Sequence, residues 1–501
     1  VEYPLLSPNI YQFILAAAYG MLFVVGKVTG VYSSVSAFGQ SYLTDPTPFY
    51  LIARSLSALW SMLTVVMLYG IARQLVGKNA ALLATFLLSV MFIDVRHAHF
   101  AEPYALISLL SASSVYFALR FVRSNKIVYV DLLLSGLLAG AAIALRFSLA
   151  PVLAAPLTAA LVKLRVPTIA QPRLRLGIRL AVVGIAGALF GYALAYPGVV
   201  LRPGGLVQAL SLYTGLARSG SGFQGFVFNS QSGAAFYLHM FIITLGKPMF
   251  ISGLVGLVVF LLTPGDGRLV VLVFPLTYFM TIGLSQMAFV RYSVPLMPFM
   301  ALFASAGITA GAQILSRRWN RRIAVAFVGL SCVLIVYQPL QNVVAHNRLL
   351  TSGDTRTIAK QWIENNIPAG SRIALQWYSP TLATLSDPEP GSQHTYAAKI
   401  VSPFDNNPEL YSLDYYRTNG FEYLVLSSYI YRLQRVDPIE NEQREVFYQL
   451  LERNARLLAE FKPADGDKEV DFMFEEIYSP IVSLWQRDQL GPTIKIYGIA
   501  P

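Results

Sequence analysis

The stretch AALLATFLLSVMFI (80–93), then DVRHAHFAEP (94–103), then ALISLLSASSVYFALRF (105–121) decides the fold class. Crossing a ~30 Å hydrocarbon layer as a helix takes about 20 mostly apolar residues. Both flanking runs approach that length, so they read as two membrane spans. The junction between them holds an arginine, a glutamate and two of the chain's five histidines. Meeting water explains some polarity at such a turn. Ionisable residues at the mouth of a membrane bundle are also the usual mark of a functional site.

The same reading extends outward in both directions. Counting these two, ten spans are expected, near 49–72, 79–95, 103–122, 128–147, 149–163, 180–198, 236–262, 268–288, 291–313 and 322–341. The apolar stretch 10–26 is short and carries Tyr11 and Tyr19, so an interfacial helix is expected there. The chain begins with Val1 inside what reads as a loop, and one more span is expected upstream. Of 501 residues, 55% are hydrophobic and 13% charged, far from the ~25% charged of soluble domains. Residues 1–341 hold 23 Lys and Arg against 6 Asp and Glu, whereas residues 342–501 hold 15 against 21. Two domains follow: a basic membrane part, 1–341, and a soluble, mildly acidic part, 342–501. The basic excess lies in short loops, where membrane orientation explains it and nucleic acid is not needed. The lone cysteine, Cys332, excludes an intramolecular disulfide.

Loop charge sets the orientation. Arg73 and Lys78, Arg120 to Lys126, Lys163 to Arg179, Arg268, and Arg317 to Arg322 fall in alternate loops. That side is expected to be cytoplasmic, which puts the 96–102 junction, the 199–235 loop and the C-terminal domain outside. The C-terminal domain reads as α/β. Helices are expected over 355–367 and 447–461, and strands over 372–377, 423–428 and 494–499.

The outer side carries Arg54, Arg96, Arg146, Arg202, Arg218, Lys247 and Arg291, but only Glu2, Asp45, Asp94 and Glu102 as acids. Such an excess of cations invites an external anion, and arginine grips phosphate at two points. Snorkelling to lipid headgroups is the plainer reading of each one singly. Glu102 precedes Pro103 and also suits a helix start, where an acid offsets the dipole. His97 and His99 stand two apart, which suits a loop and not a helical metal pair. No metal-type Cys/His spacing appears.

Four stretches occur in order: EYPLLSPNIYQFILAAAYG (2–20), YLTDPTPFYLIARSLSAL (42–59), VRHAHFAEPYAL (95–106) and RYSVPLMPF (291–299). Together they resemble the polyprenyl-phosphate-dependent glycosyltransferases of the GT-C type, the protein O-mannosyltransferase-like enzymes and their bacterial aminoarabinose-transferase-like relatives. The tail's DTRTIAKQWIENNIPAGSRIAL (354–375) and GPTIKIYGI (491–499) resemble the outer domain of many bacterial members. The resemblance implies an inverting transfer at the outer face of the plasma (inner) membrane. A sugar would pass from a polyprenyl-phosphate donor to a protein, lipid or glycan acceptor. It implies a carboxylate base in the first outer loop, expected upstream of Val1, with Glu102 as a second acid. Substrate contacts are expected from Tyr3, Asp45, Arg54, Arg96, His99, Arg146, Lys247, Arg291 and Tyr292. No particular cofactor is indicated, and a divalent metal stays possible because relatives differ. Two other readings compete: an inactive scaffold subunit of a membrane complex, and a transporter. Transporters usually show related halves, and no internal repeat is seen here.

Overall fold

The computed structural model describes residues 8–165, 172–198, 203–219, 232–263, 265–384, 394–402, 407–433, 437–466 and 469–499. Among these, eight helices are long and apolar enough to cross a membrane, or nine if one bent pair counts as a single span. A small sheet follows near the C-terminus. The expected class, a polytopic helical part with a C-terminal α/β part, is what the chain adopts. It divides into two compact units, Val1–Val35, Thr47–Arg218 and Ser232–Val343 against Ser36–Pro46, Ser219–Gln231 and Val344–Pro501.

In the first unit, small residues let helix backbones touch where lipid supplies no hydrophobic drive between helices. The Tyr129–Leu145 and Arg173–Ala195 helices cross through Gly136, Gly140, Gly187 and Gly191. A Cβ on any of these would strike a backbone carbonyl of the facing helix. Gly256 and Gly307 do the same for the Lys247–Leu262 and Met297–Arg318 helices. Serines add interhelical bonds. Ser114 Oγ donates to the Ser135 carbonyl and Ser135 Oγ to the Ser114 carbonyl, both at 2.8 Å. Ser305 Oγ donates to the Ala80 carbonyl at 2.7 Å.

Several expected spans differ in detail. The run 236–262 is two helices, Gly233–Leu245 and Lys247–Leu262, broken at Gly246. That glycine has φ +79°, a conformation other residues rarely adopt, and Pro248 starts the next helix. The run 79–95 is bent by 59° where Lys78–Val90 gives way to Phe92–Ala98, with Met91 extended between them. The 96–102 junction is therefore half helical: Arg96 and His97 end the Phe92–Ala98 helix. The 199–235 stretch, expected as a loop, contains the helix Pro203–Ser219. Stretch 10–26 forms the helix Ile10–Val28, opened by a capping box between Asn9 and Gln12. Its length and composition class it with the spans.

The second unit is built on five strands in the order β2-β1-β3-β5-β4, where β1 is Arg372–Gln376, β2 Ala397–Val401, β3 Tyr423–Ser427, β4 Arg456–Phe461 and β5 Ile494–Gly498. β1 pairs in parallel with β2 and β3, and β5 is antiparallel to β3 and β4. Alternation sorts the two faces. Leu424 and Leu426 join Tyr416, Phe447 and Leu451, while Val425 joins Ala359, Ile363 and Ile496. The helix expected over 447–461 needs correction. It runs Pro438–Asn454, Ala455 is extended, and Arg456–Phe461 is edge strand β4. Pairing with β5 overrides the helical propensity of RLLAEF (456–461). Strand β2 had no counterpart in the sequence reading.

Candidate active site

The bent run carries a buried polar group into the first unit. Asp94, Arg96 and His97 are all nearly inaccessible, Arg96 completely so. Arg96 Nη1 lies 3.2 Å from His97 Nε2. An arginine can only donate, so Nε2 accepts, and the neutral ring carries its proton on Nδ1. Nδ1 lies 3.5 Å from Glu102 Oε2. Arg96 thus fixes the face that His97 shows to Glu102. Burial pushes the Glu102 carboxyl up, but the His97 contact and the charges of Arg291 and Arg96 outweigh it and hold the group below its ordinary range. Glu102 is ionised at neutral pH.

An aromatic stack extends from this point. The His97 ring meets Tyr104 at 5.7 Å between centroids, and Tyr104 stacks on Tyr292 at 6.5 Å and 24°. The Arg146 guanidinium lies over the Tyr292 ring, 3.4 Å from its centroid. Arg146 Nη1 donates to Tyr104 Oη at 2.6 Å and Nε to Ser148 Oγ at 3.0 Å. Arg291 lies over Phe289 at 4.3 Å and within 6.0 Å of the Tyr104 and Tyr292 ring centres. Tyr278 Oη anchors the backbone by donating to the Tyr292 carbonyl at 2.8 Å. These groups come from four places in the chain: the 92–104 bend, the end of the Tyr129–Leu145 helix, the Asp266–Gly283 helix, and the short 3-10 turn Val290–Leu296.

Of the residues expected at a site, the structure brings Arg96, Glu102, Arg146, Arg291 and Tyr292 together. His99 borders them, with Nδ1 donating to the Val95 carbonyl at 2.8 Å. Arg54 and Lys247 do not join. Both are exposed, and Arg54 lies over Tyr50 at 5.6 Å. Asp45 is exposed and belongs to the second unit. Tyr3 and Arg202 lie outside the described residues. The sequence places both histidines at this junction but names only His99 as a contact, and it does not single out Tyr104. The signal was present: Tyr104 follows Pro103 in the first turn of a span, close in sequence to every other polar member of the junction. Tyr11 was also missed. It packs on Trp60 and Ala105, and its buried hydroxyl has no hydrogen-bond partner among the described residues. Glu102 is close enough for its charge to act on Tyr11.

The arrangement offers an anion a flat guanidinium on an aromatic floor. Arg146 meets only neutral hydroxyls and rings here and has no carboxylate within 4.0 Å among the described residues. No group of three or more His, Cys, Asp or Glu among the described residues could hold a metal ion.

Residues 50–190 match the family model described as dolichyl-phosphate-mannose-protein mannosyltransferase. The matched segment carries the 92–104 bend and Arg146, and it ends before Arg291. Among curated proteins there is no significant match. Among solved structures, the oligosaccharyltransferase AglB from Archaeoglobus fulgidus, in complex with an inhibitory peptide and a dolichol-phosphate, is similar at 12% identity and TM-score 0.47, over 91% of this chain and 65% of that one. ArnT from Cupriavidus metallidurans bound to undecaprenyl phosphate is similar at 12% identity and TM-score 0.45, over 90% of this chain and 85% of that one. This chain thus spans less than two thirds of the oligosaccharyltransferase's length.

Proposed function

We propose that the chain is a membrane glycosyltransferase that moves a sugar from a polyprenyl-phosphate donor to an acceptor hydroxyl at the outer face of the membrane, with inversion. The observation that carries this reading is Arg146, a half-buried guanidinium held flat between Tyr104, Ser148 and Tyr292 with no carboxylate of its own. Arg291, over the same aromatic pair, is the second cation for the phosphate. The description of the family matched over 50–190, which names a dolichyl-phosphate sugar, supports the lipid-phosphate donor.

In the reaction the acceptor oxygen attacks the anomeric carbon and the bond from that carbon to the phosphate oxygen breaks. The lipid phosphate leaves with the electron pair, and the hydroxyl proton passes to a base. Arg146 and Arg291 stabilise the charge that grows on the leaving phosphate, where fixed donors act most strongly. Glu102, kept ionised, serves as a second carboxylate beside that base. It accepts a hydrogen bond from the acceptor hydroxyl and faces the positive charge developing at the anomeric carbon. The Lys and Arg asymmetry of the loops supports an extracytoplasmic C-terminal domain. The test uses purified protein in lipid nanodiscs with a panel of polyprenyl-phosphate hexoses and pentoses. Release of free polyprenyl phosphate that depends on acceptor and is lost in Glu102→Gln supports the reading. Release unchanged in Glu102→Gln removes Glu102 from it.

A further inference from the structure

The second unit contains a cavity of about 300 Å³. Asn441, Arg444, Glu445 and Tyr448 line it from one face of the Pro438–Asn454 helix, at spacings of three and four, and Tyr431 and Arg432 add to the lining. Arg444 is the unusual member, at 2% exposure. Its Nη1 donates to Tyr411 Oη at 2.9 Å and its Nη2 to the Ile430 carbonyl at 2.8 Å. These neutral acceptors use two of its five N–H groups, and among the described residues no carboxylate lies within 4.0 Å of it. The other cation of the wall, Arg432, is matched by Glu469 at 3.3 Å. The Tyr448 hydroxyl accepts from Gln376 Nε2 at 2.9 Å, which leaves its own proton to donate.

A buried charge without an opposite charge is costly unless water or an anion shares its space. The cavity adjoining Arg444 supplies that space. Its size is at the low end for small-molecule sites, ~300–1,000 Å³, and suits one sugar residue better than a chain. The wall alternates aromatic rings with planar polar groups: Tyr431 and Tyr448 stand 6.1 Å apart between centroids, and Asn441 Nδ2 donates to Glu445 Oε1 at 2.9 Å on the rim. Such a wall matches a sugar ring, apolar on its face and hydroxylated at its edge.

We propose that this cavity binds a monosaccharide bearing an acidic group, a carboxylate or a phosphate, with the acid on Arg444 and Tyr448 and the ring hydroxyls on Asn441. The proposal does not depend on the membrane site. Calorimetry on the full chain in detergent tests it with glucuronate, glucose 6-phosphate, glucose and inorganic phosphate. At least one of the two acids should bind saturably and at least about tenfold more tightly than glucose, the worth of one charge-assisted bond. Which acid binds separates the carboxylate from the phosphate. Hydrogen exchange should slow at 431–433 and 441–448 on binding. Arg444→Lys should weaken the acid about tenfold with hydrogen exchange elsewhere unchanged. Glu445 is exposed, so Glu445→Gln should leave folding intact and tighten the acid about threefold by removing a like charge. The proposal is overturned if neither acid binds with Kd below about 10 mM, or if glucose matches the acids. Inorganic phosphate binding as tightly as the sugar acids overturns it too, as does Glu445→Gln leaving affinity unchanged.

Discussion

Replacing Arg146 by lysine keeps the charge and removes the geometry. The guanidinium lies flat on Tyr292, 3.4 Å from the ring centroid, while two of its nitrogens reach Tyr104 and Ser148. An ammonium on a flexible stem cannot hold both hydroxyls and the ring face at once. A bound phosphate therefore loses one of its paired bonds, and each charge-assisted bond is worth ~1.5–3 kcal/mol. At about 1.4 kcal/mol per tenfold, polyprenyl phosphate should bind roughly 10- to 150-fold more weakly to Arg146→Lys. Arg146→Ala loses the charge as well and should bind more weakly still. Tyr104→Phe removes only the hydroxyl that orients the guanidinium, ~0.5–1.5 kcal/mol for a single bond, so a loss of roughly 2- to 13-fold is expected. The assay is equilibrium binding of a fluorescent polyprenyl phosphate in nanodiscs, with folding checked by gel filtration. Parent affinity in both Arg146→Lys and Arg146→Ala would refute the phosphate assignment. An equal loss in all three variants would show that Arg146 only braces the Tyr104 turn.

Further expectations follow from the same contacts. His97→Phe removes a contact that lowers the Glu102 pKa, so that pKa should rise and the acid limb of the pH–rate profile should move to higher pH; an unmoved limb contradicts the coupling. The sign for stability runs the same way. Glu102 has a lowered pKa in the fold, so its contribution is present above the ordinary carboxylate range and is lost as pH falls through the lowered value; in Glu102→Gln, acid unfolding should lose that component. Gly140→Ala and Gly191→Ala place a methyl group against the Ala188 and Leu137 carbonyls, and each should destabilise the membrane unit by about 1–3 kcal/mol, read as a lower unfolding temperature in detergent. Arg487→Met strands buried Glu476, which Arg487 meets at 3.5 Å, and should cost about 3–5 kcal/mol in the second unit by chemical denaturation.

The sequence showed the spans because apolar length is a one-dimensional property: the runs 103–122, 268–288 and 291–313 became helices close to those bounds. It hid the break at Gly246, since a glycine in an apolar run reads equally as helix-packing or helix-breaking, and only its positive φ decides. It hid β4 because RLLAEF (456–461) continues the composition of the helix before it, and partner β5 lies more than thirty residues further on. At the site, Arg96, Glu102, Arg146, Arg291 and Tyr292 were legible as charges and aromatics at span ends. The pairing of His97 with Glu102 was not legible, for a geometric reason. The 59° bend keeps residues 92–98 helical, and that helix turns His97, not its neighbour two places on, toward Glu102.

The central claim is that a lipid phosphate sits on the arginine–tyrosine stack. Electron cryo-microscopy of the full chain in nanodiscs with polyprenyl phosphate, the group common to all such donors, tests it most directly. Phosphate density is expected within hydrogen-bonding distance of Arg146 or Arg291, beside Tyr104 and Tyr292, and should be lost in Arg146→Ala. Phosphate density elsewhere, with this stack bare, would contradict it.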